Sequence, residues 1–305
     1  LHHRVFGTGL RMPLTVLFLG IGKMGLPMAR HLHTAGFNVL AHDIDASRMQ
    51  EGQRAGLNLA GSPDLSLKRA DLVVSSLPND LALLEVAAWL GQNGRTGQAW
   101  VDTSTVSLDG SRRAALAVEA TGMAYLRVTI SGNNHMAEAA QVTVLASGPQ
   151  ALYERVKPLL ECWGPQQFYL GGEEQARMMK LVLNLMIAQT SAMLGEALNL
   201  GQRGGLSWRA MWEVIAASAV GSPIVKAKSA QLSTHDYAPT FTVHRMLRDV
   251  SLMLQAGAEL HVPLPQLSLT QQQMQQAIAQ GDGELDYAAL IRVMTRACGL
   301  TPPQG

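Results

Sequence analysis

The sequence predicts a doubly wound, mostly parallel α/β domain over residues 13–170, then an all-α domain over 171–305, joined by one long interdomain helix. Three observations carry this. Short apolar runs alternate with stretches of helical spacing through the first half; from about Gly171 helical spacing stands alone. The length, 305 residues, suits two domains of ~150 each.

Residues 14–19 form an apolar run that stops at glycine, and 24–35 follow with Met24, Met28 and Leu32 on one helical face. Residues 38–42 and 72–76 read as further strands, the latter ended by Pro78. Residues 99–102 follow a Gly-rich turn and precede a Ser/Thr cluster and a helix over 112–121, and 142–146 adds a late strand. Strand, helix, strand in repetition demands parallel pairing through crossover helices. Beyond Gly171 the spacing predicts helices over 173–201, 208–218, 241–258, 265–280 and 287–298, punctuated by Gly or Pro. At ~1.5 Å per residue the first is over 40 Å long, a length suited to spanning an interface.

Only 15% of residues are charged and 47% are hydrophobic, which excludes a disordered tail protein. Charges balance at net +1, leaving no basic field for nucleic acid. So few charges, together with the long helix, imply surface buried between domains or subunits, and a homo-oligomer is expected. The two cysteines, Cys162 and Cys298, exclude a disulfide framework and a four-thiolate zinc site, and no Cys/His/carboxylate cluster has metal-ligand spacing. A reduced, cytoplasmic protein without a metal follows. Residues 1–12 lack an apolar run with a cleavage site, so no secretory signal is expected; Met12 is read as the native start, and His2–His3 as part of a leader. The window 181–200 is the most membrane-like, yet Asn184, Gln189, Thr190, Ser191, Glu196 and Asn199 make it a buried helix rather than a span.

Gly20-Ile21-Gly22-Lys23-Met24-Gly25 sits directly after the first strand and opens the first helix. The spacing alone is a weak signal and could mark a mere tight turn; the strand–turn–helix context makes it a dinucleotide phosphate loop. Its glycines allow the turn, the approach of a pyrophosphate and close helix packing, while the helix start supplies amide donors. Asp43 closes the second strand, placed to accept from the adenosine ribose hydroxyls. Ile44 and Asp45 follow it rather than an arginine, which favours NAD over NADP; Arg48 and Arg54 are near enough to keep NADP open.

Lys180 and Asn184 are four apart and share a helix face, with Arg177 and Ser191 extending the stripe. A lysine there could simply bury its stem and snorkel to water. Its place just after the α/β domain, where an interdomain cleft is expected, points instead to a desolvated amine that exchanges a proton with substrate.

GIGKMGLPMARHL (20–32), SLPND (76–80), VDTSTVS (101–107), SG (131–132), GGEEQARMMKLVLN (171–184) and LRDV (247–250) stand in the order and spacing of the β-hydroxyacid dehydrogenases, and the chain resembles that family from about Leu14 to Leu300. The resemblance implies a Rossmann domain followed by an all-helical domain, with substrate and nicotinamide meeting between them, in a homodimer or homotetramer. It implies hydride transfer between nicotinamide and a short β-hydroxy acid or its semialdehyde, with Lys180 as general acid and base. Asn184 matches the lysine's substrate-orienting helix-mate. Thr105 matches the residue near the nicotinamide, and Leu77 and Pro78 the loop beneath it. Ser131 and Gly132, with Asn133 after them, match the segment that binds the substrate carboxylate. Arg248 stands on the cofactor where the family usually has lysine, a fork replacing a point donor.

Several positions depart from the family. Arg127-Val-Thr-Ile-Ser-Gly-Asn133 replaces Asp-Ala-Pro-Val-Ser-Gly-Gly, Met136 and Ala140 replace glycines, Leu183 an asparagine and Leu108 a proline. These added side chains predict a reshaped substrate loop. Two other readings follow from that loop: an NADPH-dependent reductase of another carbonyl or of an imine, and a non-catalytic dinucleotide-binding scaffold. Elsewhere, His135, His244, Trp208 with Trp212, and Arg112 with Arg113 read as structural or surface residues.

Overall fold

A computed structural model describes residues 14–301. His2, His3, Met12 and the outer ends of the two expected domains, residue 13 and residues 302–305, lie outside the described residues.

Strands β1 (Thr15–Leu19), β2 (Asn38–His42), β3 (Asn58–Leu59), β4 (Leu72–Ser75), β5 (Ala99–Asp102), β6 (Ala124–Ser131), β7 (Thr143–Ser147) and β8 (Gln166–Tyr169) form one sheet in the order 3-2-1-4-5-6-7-8. Neighbours run parallel except β6 with β7. Crossovers run through α1 (Gly25–Thr34), α2 (Ala46–Arg54), α3 (Pro63–Arg69), α4 (Asp80–Asn93) and α5 (Leu108–Glu119). Helix α6 (Asn134–Glu138) links β6 to β7, and α7 (Gln150–Leu160) links β7 to β8. Chain order leaves β1 outward to β3 and returns to pair β4 on the other side of β1, so a crevice opens at the carboxyl ends of β1 and β4.

The period of two along β1 explains the two helical layers. Val16 and Phe18 face a core with Met28, Leu32 and Trp163, whereas Leu17 and Leu19 face another with Leu83, Leu90 and Trp100. Every residue of β4 and β5 is buried, as befits central parallel strands. Each fully buried aliphatic side chain of this kind contributes about 1.5–3 kcal/mol.

The stretch read from sequence as a substrate loop from Arg127 is instead mostly strand. Tyr125 to Ile130 are buried between β5 and β7, and their aromatic and β-branched side chains fit that pleated interior. Only from Gly132 onward does the chain leave the sheet. Where the family's glycines were expected, the chain forms α6, capped by the Asn133 carboxamide accepting from Met136 N at 3.0 Å. Ala140 keeps a left-handed conformation, φ +52°, at one of those glycine positions.

The described residues divide into two compact units between Arg177 and Met178, inside the first turn of α8 (Gln175–Arg203) and past Gly171. Hydrogen bonds account for the position of this division. Ser147 Oγ donates to Glu173 O, Thr129 Oγ1 donates to Ala176 O, and Arg127 pairs with Glu174 at 2.8 Å, so this segment is fastened to β6 and β7.

The second unit contains the rest of α8, then α9 (Trp208–Ala217), α10 (Pro223–Leu232), α11 (Val243–Glu259), α12 (Pro265–Ala279) and, after a short 3-10 turn (Tyr287–Ala289), α13 (Leu290–Ala297). Helix α10 was not anticipated; its signals are Ser222 as cap and proline at the first position. Helix α8 is long and apolar enough to cross a membrane by length and composition. Its buried polar residues argue for a core helix instead: Asn184 bonds Asp249 and Asn199 bonds the Ile291 carbonyl, both within this unit.

Candidate active site

Three glycines of the phosphate loop divide the work. Gly20 adopts φ +87° and donates to His42 O at 2.8 Å; a Cβ there would overlap the Ser76 carbonyl. A Cβ on Gly25 would overlap the Gly20 carbonyl, so this glycine sets the closeness of α1 to the loop. Gly22 is different, because a Cβ there would enter open space. That space, at the start of a helix without a side-chain cap, fits a pyrophosphate. Ile21 is buried, Lys23 is exposed, and Met24 is partly buried against the core.

Asp43 ties the loop to the turn after β2. Its Oδ2 accepts from Ile21 N at 2.9 Å and its Oδ1 from Asp45 N at 3.0 Å. Ile44 is 98% exposed beside it. Arg48 is engaged by Glu51 at 2.7 Å. A cleft of about 190 Å³, lined by Gly22, Lys23, Arg30, Arg48 and Glu51 among others, opens along this side of α1.

The loops after β4 and β5 are fastened to each other. Leu77 N donates to Ser104 Oγ at 2.8 Å, and Ser107 N and Oγ both donate to the Asp80 carboxylate. Thr105 is the half-buried residue in a loop whose neighbours are buried. Beneath it Asp102 is fully buried: Oδ1 accepts from Ser75 Oγ and Ser104 Oγ, and Oδ2 from Arg177. Arg177, 1% exposed, therefore faces the interior of the first unit rather than extending the Lys180 stripe. Burial pushes the neighbouring Tyr125 phenol up to about 12, keeping it a neutral partner for Arg177.

In the second unit Asn184 Nδ2 donates to Asp249 Oδ2 at 2.9 Å, and Arg248 donates to Asp249 Oδ1 at 3.0 Å. Asp249 is 2% exposed. Burial lowers the Lys180 amine below its ordinary value, and the negative charge of Asp249 opposes that shift. Asp249 escaped the sequence reading. Its signal is an acidic residue on the apolar stripe Val243, Met246, Val250, Met253 of α11.

Gly20 to Gly25, Asp43, Ile44, Leu77, Pro78, Thr105 and Ser131 to Asn133 thus all lie at or just beyond carboxyl ends of strands in one sheet. Lys180, Asn184 and Arg248 gather with Asp249 in the helical unit. Among the described residues no group of three His, Cys, Asp or Glu is placed to hold a metal ion.

A glycine loop at the switch point, a carboxylate closing the second strand and a half-buried lysine whose amine is desolvated are the features of a dinucleotide-dependent oxidoreductase. Residues 15–171 match the model for the NAD binding domain of 6-phosphogluconate dehydrogenase, and 175–294 that for the NAD-binding region of NADP-dependent 3-hydroxyisobutyrate dehydrogenase. The chain is 28% identical to glyoxylate/succinic semialdehyde reductase 1 of Arabidopsis thaliana over 284 residues, covering 92% of this chain and 98% of that protein. It is 29% identical to 2-(hydroxymethyl)glutarate dehydrogenase of Eubacterium barkeri over 294 residues, covering 94% and 97%. A 3-hydroxyisobutyrate dehydrogenase of Mycobacterium tuberculosis, solved with L-serine, shares the fold with TM-score 0.85 at 24% identity, covering 93% and 99%. The chain belongs to the β-hydroxyacid dehydrogenase family, whose members are NAD(P)-dependent oxidoreductases acting on CH–OH groups.

Proposed function

We propose that this chain interconverts a short β-hydroxy acid and its semialdehyde, with Lys180 exchanging the proton and NAD preferred over NADP. The observation that carries the reading is the half-buried Lys180, its amine desolvated, on one helix face with Asn184, whose carboxamide is held by buried Asp249. The nicotinamide ring, when bound, supplies or takes the hydride. As the carbonyl is reduced, the Lys180 ammonium donates a proton to the nascent alkoxide; in oxidation the neutral amine removes it. A lowered pKa brings both forms nearer to neutral pH, where such positioned acid–base catalysis contributes about 10²–10⁴ in rate. Asn184 orients the reacting oxygen, and Ser131, Gly132 and Asn133 receive the carboxylate.

Residues 13–170 are assigned to the dinucleotide and 171–305 to substrate and assembly. Gly20 to Gly25, Asp43, Ile44, Leu77, Pro78 and Thr105 hold the cofactor, with Arg248 as a further contact. The preference for NAD is supported by the Asp43 carboxylate, which would repel a 2′-phosphate, and by the pairing of Arg48 with Glu51. A homodimer or homotetramer is supported by an exposed row along α8, Met179, Val182, Met186, Met193 and Leu200, at coiled-coil-like spacing. A cytoplasmic site suits the two free thiols, Cys162 and Cys298.

The test is an initial-rate screen of 3-hydroxyisobutyrate, glycerate, threonate and 4-hydroxybutyrate with NAD⁺ and NADP⁺, beside Lys180→Ala. Turnover of one acid that disappears in the variant, with NADH affinity retained, is expected. Full activity in Lys180→Ala, or no turnover of any acid, overturns the proposal.

A further inference from the structure

The sheet unit contains a buried ionic knot that, through Ser104, ties two loops to each other. Both carboxylate oxygens of Asp102 have protein partners: two serine hydroxyls reach Oδ1, at 2.5 and 2.6 Å, and the Arg177 fork reaches Oδ2. The same guanidinium donates to the Ser104 carbonyl and, at 3.1 Å, to the Tyr125 hydroxyl. Ser104 is the branch point. Its hydroxyl donates to Asp102 and accepts from Leu77 N, so one side chain joins the loop after β5 to the loop after β4.

A charge pair buried this deeply contributes little net stability compared with a well-packed apolar core, but it imposes a defined geometry when every partner is supplied. Here the geometry imposed is that of two loop backbones. Ser104 is fixed on one side of Thr105, and Ser107, bound to Asp80, on the other.

We propose that Asp102 and Arg177, acting through Ser104, are positioning residues that set the 76–78 and 103–107 loops for the nicotinamide half of the cofactor. This rests on the assignment of those loops to the nicotinamide made above. None of the three side chains need touch the cofactor; each acts through a backbone it holds. Ser111 Oγ, 3.4 Å from Arg177 Nε, closes the cage from α5 and keeps the fork in one orientation.

The proposal predicts a selective loss. ADP-ribose carries the adenosine, both phosphates and the second ribose but no nicotinamide ring, so it reads the phosphate loop and the turn after β2 without the contacts made to that ring. Titrations of the full chain with NADH and with ADP-ribose would be compared in wild type, Ser104→Ala and Arg177→Lys. Ser104→Ala deletes the branch point at small volume cost; Arg177→Lys keeps the charge and loses the fork. The expected result is NADH binding weakened by about fivefold or more in both variants, ADP-ribose binding changed less than about twofold, and amide exchange raised at 76–78 and 103–107. Equal weakening of both ligands, or no change in either, overturns the proposal, since a merely structural knot would move them together. Should Arg177→Lys fail to fold, Ser104→Ala alone decides. The readout does not depend on turnover: a wild type inactive on every hydroxy acid removes the substrate reading while the NADH to ADP-ribose ratio still tests the knot.

Discussion

Asn184 and Asp249 hold one another in the helical unit: the carboxamide donates at 2.9 Å to a carboxylate that is 2% exposed, which fixes which face of Asn184 is left for a ligand. The same carboxylate is the charge that opposes the burial of Lys180. One acidic side chain therefore orients the helix-mate and tunes the amine.

Replacing Asp249 by Asn should separate these effects by pH. Asp249 raises the Lys180 pKa, so its neutralisation lets burial push the amine lower still. The ammonium required for reduction then disappears at a lower pH. The alkaline limb of the kcat/KM profile for semialdehyde reduction should move down, with kcat at neutral pH falling by about 10- to 100-fold. An unmoved limb would detach Asp249 from Lys180.

The phosphate-loop glycines should respond differently to one added methyl group. Gly25→Ala meets the Gly20 carbonyl and should lower Tm markedly, because backbone must shift to admit it. Gly22→Ala points into open space and should leave Tm nearly unchanged while weakening NADH by about tenfold or more. Thermal melts and fluorescence titrations of the two variants check this contrast.

Cofactor preference should lie in the turn after β2. Asp43→Ser with Glu51→Gln removes the repelling carboxylate and frees Arg48 from its partner. The ratio of kcat/KM for NAD⁺ over NADP⁺ should fall by about tenfold or more, in line with one displaced charge pair. Asp43 also accepts from Ile21 N, so some efficiency with NAD⁺ is lost in the same step.

Assembly should depend on the exposed face of α8. Met186→Glu combined with Met193→Glu places two carboxylates in that row and should reduce the mass measured by sedimentation, with the helical signal of the chain retained. An unchanged mass would show that the subunits meet elsewhere.

Strong local patterns were readable in advance. The all-buried runs of β4 and β5 and the glycine-stopped β1 announce central strands, and the phosphate loop is fixed by its position between strand and helix. Lys180 and Asn184 share a face of one helix, as their spacing of four predicts. What stayed hidden depends on partners far along the chain. Arg177 looks like one more polar residue on the Lys180 face, yet its fork is claimed by a carboxylate 75 residues earlier. Asp249 breaks an apolar stripe and so resembles noise until Asn184 is placed against it. β6 was obscured by likeness to a loop motif, although its own buried aromatic and β-branched residues favour strand. β3 has two residues and β8 alternates exposed and half-buried positions, too little burial to mark a strand from pattern alone.

The place where the two units divide bears on how such chains can be cut and recombined. A fragment ended at Gly171, before the long helix begins, would keep Asp102 and discard Arg177, leaving an uncompensated carboxylate in its interior. The sheet unit's own electrostatics thus reach three residues into a helix that mostly belongs to the other unit. Autonomous expression of that unit, or a chimera joining it to a foreign helical partner, should be spliced after Arg177, so that the graft carries its own counter-ion across the seam.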